Sequence, residues 1–360
     1  MKDLTKPILL VTGISGLIGT KIAEALNNEY RVVGLDLEPT DVAHWIECDL
    51  TKDETTARAF NVLREKFGNE IASVVHLAAY YDFSGEPSPL YQSLTVQGTR
   101  RILKELQSFQ VGQFIFSSSL LVMKPVEKGE VITENSTLQA EWDYPKSKLE
   151  AEKAIQVHRG NIPAVILRIA GVYNEDCNSI PISQQIKRIY EKEFESYFFP
   201  GNPEHGQSFV HLDDTVDSVL QTIQKSAELG PHEIFLIGEP ETMSYEELQD
   251  RIGDLIHDKE WATIRIPKPF AKAGAWIKEK FDRDKDTFIK PWMIDLADAH
   301  YPVSIDKASH RLGWRPRHRL NDVLPEMVNR LVRNPRLWYQ KNNLQWPEEK
   351  GEKEKESKRA

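Results

Sequence analysis

The stretch Thr12-Gly13-Ile14-Ser15-Gly16-Leu17-Ile18-Gly19 stands between an apolar run over residues 7–11 and an amphipathic segment over 16–28. Glycines at this spacing let the backbone turn tightly at a strand end and approach a ligand with no Cβ in the way. A helix that begins inside the turn offers unpaired N–H groups and the positive end of its dipole, which suits a pyrophosphate. A second β-branched run over 30–35 ends at Asp36, an acid placed to accept hydrogen bonds from ribose hydroxyls. Strand, glycine turn, helix, strand and acid in this order predict a dinucleotide-binding unit. A carboxylate at 36 repels a 2′-phosphate, and neither the turn nor the residues directly after Asp36 carry Arg or Lys, so NAD is expected rather than NADP.

Outward from this unit the same rhythm continues. Short apolar runs over 45–48, 73–77, 113–117 and 164–168 alternate with helix-length segments over 52–67, 89–109 and 144–159. Runs apolar along their whole length belong to strands covered on both faces, so the fold class is α/β with a doubly wound parallel sheet. Beyond residue 171 the pattern loosens into mostly helical segments, which predict a smaller, mainly helical substrate domain. The expected division is a nucleotide-binding domain over 1–175, a substrate-domain segment over 176–206, a return to the first domain over 207–240 and further substrate domain over 241–335. An extension over 336–360 ends in a charged tail, read as solvated.

Composition bounds the function. The 360 residues carry 46 Lys+Arg against 55 Asp+Glu, a net charge of -9, with 40% hydrophobic residues. That is enough apolar material for a sizeable core, and the acidic balance gives nucleic acid or an anionic membrane no attraction through net charge. Cys48 and Cys177 form neither a disulfide framework nor a paired metal spacing, and His205 and His211 are not spaced as ligands, so no metal is expected. The absence of an apolar signal core at the amino terminus and of a run long enough for a bilayer span is read as cytoplasmic.

Tyr144-Pro145-Lys146-Ser147-Lys148 puts a phenol and an ammonium four residues apart, on one helix face. A nearby cation favours a phenolate, so Lys148 is expected to lower the Tyr144 pKa and make it a general acid/base for a hydroxyl or ketone. The run before this helix ends in Ser117-Ser118-Ser119, at the carboxyl edge where ligands bind in open α/β sheets. Ser119 is assigned the hydroxyl that bonds the reacting oxygen, with Ser118 second and Ser117 capping the turn.

Together these motifs resemble the extended short-chain dehydrogenase/reductase superfamily in its NAD-dependent epimerase/dehydratase branch, over roughly residues 7–330. Cys48-Asp49-Leu50 resembles the segment whose Asp holds the adenine, and His76-Leu77-Ala78-Ala79 the strand end that walls the cofactor site. Leu167-Arg168 to Val172-Tyr173 resembles the segment flanking the nicotinamide, with Ile169 where a proline is usual. Phe209-Val210-His211-Leu212-Asp213-Asp214 and Leu312-Gly313-Trp314-Arg315-Pro316 resemble later signatures. The resemblance implies a Rossmann fold, catalysis by Ser119, Tyr144 and Lys148, and cofactor contacts from Gly13, Ser15, Gly16, Leu17, Ile18, Gly19, Asp36, Asp49, Leu50, Leu77, Ala78, Ala79, Ser117, Tyr144, Lys148 and Arg168. It also implies a homodimer through segment 89–109 and the Tyr144 helix.

The departures bear on substrate. Thr95 replaces an asparagine that normally braces the active-site helix, and Leu120-Leu121 stand where dehydratases carry Asp-Glu, which argues against dehydration. Gly206-Gln207-Ser208 lacks the basic residue that many sugar-nucleotide enzymes carry there. Tyr80-Tyr81-Asp82-Phe83 sits where a substrate could stack. Phe270, Trp276, Ile277, Phe281, Phe288, Trp292 and Met293 read either as packing within the second domain or as an apolar substrate mouth or membrane-surface face. The expected activity is hydride transfer at a secondary alcohol or ketone by an epimerase, with a nucleotide-sugar as a candidate substrate. The alternatives are a net dehydrogenase of a steroid- or lipid-like alcohol and, last, a silent NAD-sensing scaffold.

Overall fold

The structure is a computed structural model and describes residues 6–41, 44–83, 85–281 and 290–347. Phe288 and the charged tail over 348–360 lie outside the described residues. The first part of the chain alternates strand and helix: β1 (Ile8–Thr12), α1 (Leu17–Leu26), β2 (Arg31–Asp36), β3 (Trp45–Glu47), α2 (Asp53–Phe67), β4 (Glu70–Ile71), β5 (Ser73–His76), α3 (Gln97–Leu106), β6 (Gln110–Val111), β7 (Phe114–Ser119), α4 (Asp143–His158) and β8 (Ala164–Ile169). The remainder runs β9 (Gly171–Tyr173), α5 (Ile180–Tyr190), β10 (Phe198–Pro200), β11 (Phe209–His211), α6 (Leu212–Gln224), β12 (His232–Ile237), α7 (Tyr245–His257) and β13 (Ile264–Ile266), then α8 (Lys268–Phe281), α9 (Pro291–Leu296), α10 (Asp306–Leu312), α11 (Leu320–Arg333) and α12 (Pro335–Lys341).

Seven strands form one sheet in the order β12-β8-β7-β5-β1-β2-β3, with every pairing parallel. The strand order reverses beside β1, and this switch point is where a doubly wound sheet opens its ligand crevice. Alternation along β1 explains the layers. Leu9 and Val11 pack with Ile22 and Leu26 of α1 on one face, and Ile8 and Leu10 pack with Phe60 and Leu63 of α2 on the other. β12 adds the last strand next to β8, whereas β11 pairs with β9 outside this sheet.

Short parallel pairs that sequence periodicity did not reveal, β9 with β11 and β10 with β13, frame the region beyond the sheet. A third core gathers Ile182 and Ile186 of α5, Leu248 and Ile252 of α7, Leu324 and Met327 of α11, and Trp338 of α12. α7 begins with a capping box, in which Ser244 and Glu247 satisfy each other's backbone N–H groups. Segment 89–109 is not one α-helix: Tyr91–Val96 winds as a wide π-helical turn before α3. Among the described residues no helix is long and apolar enough to cross a membrane.

Candidate active site

The glycine turn lies at the carboxyl end of β1. Gly13 has φ +70°, and a Cβ there would come within 2.8 Å of the Ala78 backbone nitrogen. At Gly19 a Cβ would overlap the Gly13 carbonyl and the Ile14 backbone, so this first turn of α1 seats directly against the loop. No side chain caps α1 and no acid occupies its first turn, which leaves its N-terminal N–H groups to an anion. Asp36, at the end of β2, accepts from the Ser15 backbone N–H (2.9 Å) and the Ser15 hydroxyl (2.8 Å). The carboxylate is therefore fixed beside the turn. Leu17 is exposed at the start of α1, and Ile18 reaches the cavity described below. These features fit NAD: glycines that leave a cradle, an uncapped helix end and an acid next to both.

A chain of polar groups ties this turn to the next strand. The network assigns His76 as its Nε2–H tautomer, because Thr99 donates to the Thr95 carbonyl (2.6 Å) and so accepts from His76 (2.9 Å). Nδ1 then accepts from the Thr12 hydroxyl (2.6 Å), and burial holds His76 neutral, its pKa down at about 3. The Thr95 hydroxyl accepts from the Tyr80 N–H (3.0 Å), so a threonine supplies the acceptor that fixes the start of the Tyr80–Phe83 loop. Leu77 and Ala78 wall the turn through bonds to the Thr12 carbonyl and hydroxyl, with Ala79 next in the same segment. Asp49 is held by Thr51 and Lys52, which keep its pKa low, at about 2; the Leu50 side chain is in the core rather than at a surface.

At the end of β7 the three serines separate. Ser118 donates to Glu152, while Ser119 accepts from the Leu121 N–H (3.2 Å) and shares a cavity wall with Tyr144, whose pKa it lowers. Ser119 is thus the serine beside the phenol. Lys148 lies one helical turn beyond Tyr144, is 2% exposed, donates to the Ser117 carbonyl (2.6 Å) and has its Nζ 5.9 Å from the Tyr144 ring centre.

Two expectations need correction. Lys148 does not lower the Tyr144 pKa in the free protein: loss of water pushes the phenol up to about 12, against the Ser119 hydrogen bond. Burial also brings Lys148 down to about 7, so near neutrality it is a partly discharged neighbour rather than a fixed cation. Arg168 is not turned toward the cofactor cleft. Its guanidinium is buried and bonded to both Glu152 oxygens (3.1 and 2.8 Å) and to the Met123 sulfur (3.2 Å). Sequence reading missed Glu152, although its place four residues after Lys148 put it on the same helix face.

Tyr144 opens into a cavity of about 460 Å³ between the main sheet and α5, α7 and α9. Tyr81, Phe83, Trp142, Trp292 and Met293 are among its lining residues; Phe270 and Trp276 are exposed on α8. An acidic groove of about 620 Å³ around Glu241, Asp250 and Asp254 shares Gln207 and Phe209 with this cavity, and Tyr144 is not among its lining residues. His211, Asp213 and His318 come within 4.8 Å of one another, a cluster no spacing disclosed. There the His211 Nδ1 accepts from the Asp213 N–H (3.2 Å), which leaves the proton on Nε2 rather than a lone pair for a metal.

Comparisons with known proteins agree with this architecture. The chain is 24% identical over 341 residues to a UDP-glucose 4-epimerase of Vibrio cholerae, covering 89% of this chain and 94% of that protein. It is 23% identical over 289 residues to a decarboxylating sterol-4-alpha-carboxylate 3-dehydrogenase of Candida albicans, covering 74% and 77% of the two chains. The solved UDP-glucose 4-epimerase of Thermus thermophilus, in complex with NAD, superposes with a TM-score of 0.68 at 19% identity, covering 90% of this chain and 99% of that one. The model of the NAD dependent epimerase/dehydratase family matches residues 9–238, through the glycine turn, the three serines, Tyr144, Lys148 and the returning strand, and the chain belongs to that family.

Proposed function

We propose that this protein transfers a hydride between NAD and a secondary alcohol or ketone, with Tyr144 as general acid/base, Ser119 orienting the reacting oxygen and Lys148 favouring the phenolate only in the fraction that carries its proton. The observation that carries the reading is the meeting of Ser119 and Tyr144 on one cavity wall at the carboxyl edge of the sheet, one helical turn from a buried lysine. When bound, oxidised NAD supplies a hydride acceptor and a positive charge. Gly13, Gly16 and Gly19 would seat its pyrophosphate and Asp36 its ribose. Once ionised, as the positive charge of bound oxidised NAD would favour, Tyr144 takes the hydroxyl proton as the carbinol hydrogen leaves with its electron pair, which yields a ketone; Ser119 donates to the ketone oxygen. With a pKa near 12 the free protein holds Tyr144 as the phenol, the form that returns a proton to a ketone. Return of the hydride on the opposite face gives an epimer, and release of the ketone gives net oxidation. The UDP-glucose 4-epimerase relatives support the first outcome and the sterol dehydrogenase relative the second.

Tyr144→Phe removes the acid/base oxygen while keeping the ring, so turnover falls by about 10²–10⁴-fold while NAD affinity is kept. Equal turnover in the variant overturns the assignment. In the same experiment the nucleotide released on denaturation is quantified: near-stoichiometric NAD marks a recycled cofactor and an epimerase, and an empty protein that binds NAD reversibly marks a dehydrogenase. The assembly we infer from the resemblance is a homodimer through the outer faces of the 89–109 segment and α4, where Leu90 and Val157 leave apolar side chains exposed.

A further inference from the structure

The wall beside Tyr144 is a set of aromatic rings drawn from three segments. Tyr81 meets Tyr144 edge-on at 4.8 Å, Trp142 meets Tyr144 at 5.5 Å, and Trp142 meets Trp292 at 5.2 Å. Phe83 completes the ring, 5.3 Å from Trp142, 6.3 Å from Trp292 and 6.2 Å from Tyr81. Gly85 has φ +76°, and the Trp292 indole stands where its Cβ would be, so the loop after β5 and α9 close on each other through this contact. These rings form one side of the cavity at Tyr144, with Ser119, Ile169 and Val172 among the other lining residues.

Part of the polar lining on α5 and α7 is already hydrogen-bonded within the protein. Arg188 donates to the Gln184 carbonyl (3.3 Å) and to Gln185 (2.8 Å); Gln185 donates to Gln249 (2.6 Å), which donates to Thr263 (2.5 Å). The charged residues lining the cavity are Glu141, Arg188 and Glu195, two carboxylates against one guanidinium. A diphosphate brought here would meet a wall of net negative charge. A sugar brought here would set several hydroxyls against Tyr81, Phe83, Trp142 and Trp292, and a buried hydroxyl left without a partner costs about 1–3 kcal/mol. A molecule with one hydroxyl or ketone and a flat apolar body meets neither cost, and a cavity of about 460 Å³ is the size that encloses such a ligand.

We propose that the cavity takes an uncharged, ring-bearing apolar alcohol or ketone, lying against the wall that Trp292 and Trp142 form together, rather than a sugar carried on a diphosphate. The inference rests on the hydride-transfer reading of Tyr144. The test is isothermal titration of the full chain, saturated with NAD, using a hydroxysteroid, a fused-ring decalin alcohol and UDP-glucose, followed by assay of each for reduced nicotinamide or epimer. The expected result is that at least one ring alcohol binds about tenfold or more tightly than UDP-glucose. Trp292→Ala weakens the ring alcohols about tenfold, Trp292→Phe restores them to within about threefold, and both leave UDP-glucose unchanged. Tighter binding of UDP-glucose, ring-alcohol binding indifferent to Trp292→Ala, or no binding by either ring alcohol overturns the proposal. Ring-alcohol binding through Trp292 with no turnover at Tyr144 overturns hydride transfer and leaves the aromatic wall's role standing. Tyr144-dependent epimerisation of UDP-glucose does the reverse.

Discussion

The cofactor side and the substrate side of this molecule are specified in different ways. The cofactor side comes largely from residues 8–36, and backbone geometry fixes it: a positive φ at Gly13, a turn packed against Gly19, and Asp36 tethered to Ser15. The substrate side is assembled from side chains of the loop after β5, the start of α4, and α5, α7 and α9. Backbone geometry tolerates few residue types, whereas a wall of side chains can be replaced one by one. The same fold therefore keeps its cofactor and changes its substrate. Arg168 belongs to neither side; it joins β8 to α4 beneath both.

That placement is the first point at which the comparison can be broken. Arg168→Met leaves the Glu152 carboxylate buried without its partner, and the expected loss of stability is about 3–5 kcal/mol, read by urea unfolding near pH 7. The double variant Arg168→Met/Glu152→Met recovers most of it, because a matched apolar pair removes the unpaired charge. NAD affinity of the single variant stays within about threefold at a temperature where it is folded. A large loss of NAD affinity with little loss of stability would return Arg168 to the cofactor side, where the sequence motif had put it.

Asp36→Asn sharpens the contrast at lower cost. The amide keeps the shape and one acceptor but removes the charge, and hydrogen bonds to a charged group are worth about 1.5–3 kcal/mol. NAD affinity is expected to fall about ten- to a hundredfold, the preference over NADP to narrow, and ring-alcohol binding to the NAD-saturated variant to stay the same. An unchanged NAD-to-NADP ratio would show that Asp36 serves only to hold Ser15.

How much of this was legible follows from the same contrast. Gly13, Asp36, Tyr144 and Lys148 are read from local spacing, because a turn and a helix face are local objects. Strand alternation alone separates Ser118 from Ser119, and the structure sends Ser118 to Glu152 and Ser119 to Tyr144. The aromatic wall was not legible. Phe83, Trp142 and Trp292 meet only after three segments converge, and neither periodicity nor composition carries the register between them. The wide turn at Tyr91–Val96 was hidden for another reason: its apolar spacing is close to that of an α-helix, and only the bond to the Tyr80 N–H shows what Thr95 does there.

Lys148 gives the smallest effect, and it lies where the two sides meet. Its pKa in the folded chain is about 7, below the ordinary 10.5, so between those values the unfolded chain binds one proton more than the folded one. Stability must therefore rise with pH across that window, and below about 7 the full cost of burying the ammonium is present. Lys148→Met removes the titrating group. The stability of the variant relative to the native chain should then be greatest at pH 6 and fall by about 2 kcal/mol by pH 9, read as converging melting temperatures without NAD. Comparing the two pH values cancels the constant loss of the bond to the Ser117 carbonyl. A difference that does not change from pH 6 to pH 9 would mean that water reaches the ammonium; Lys148 would then be a full cation beside Tyr144, and the expectation that it lowers the phenol's pKa would be restored.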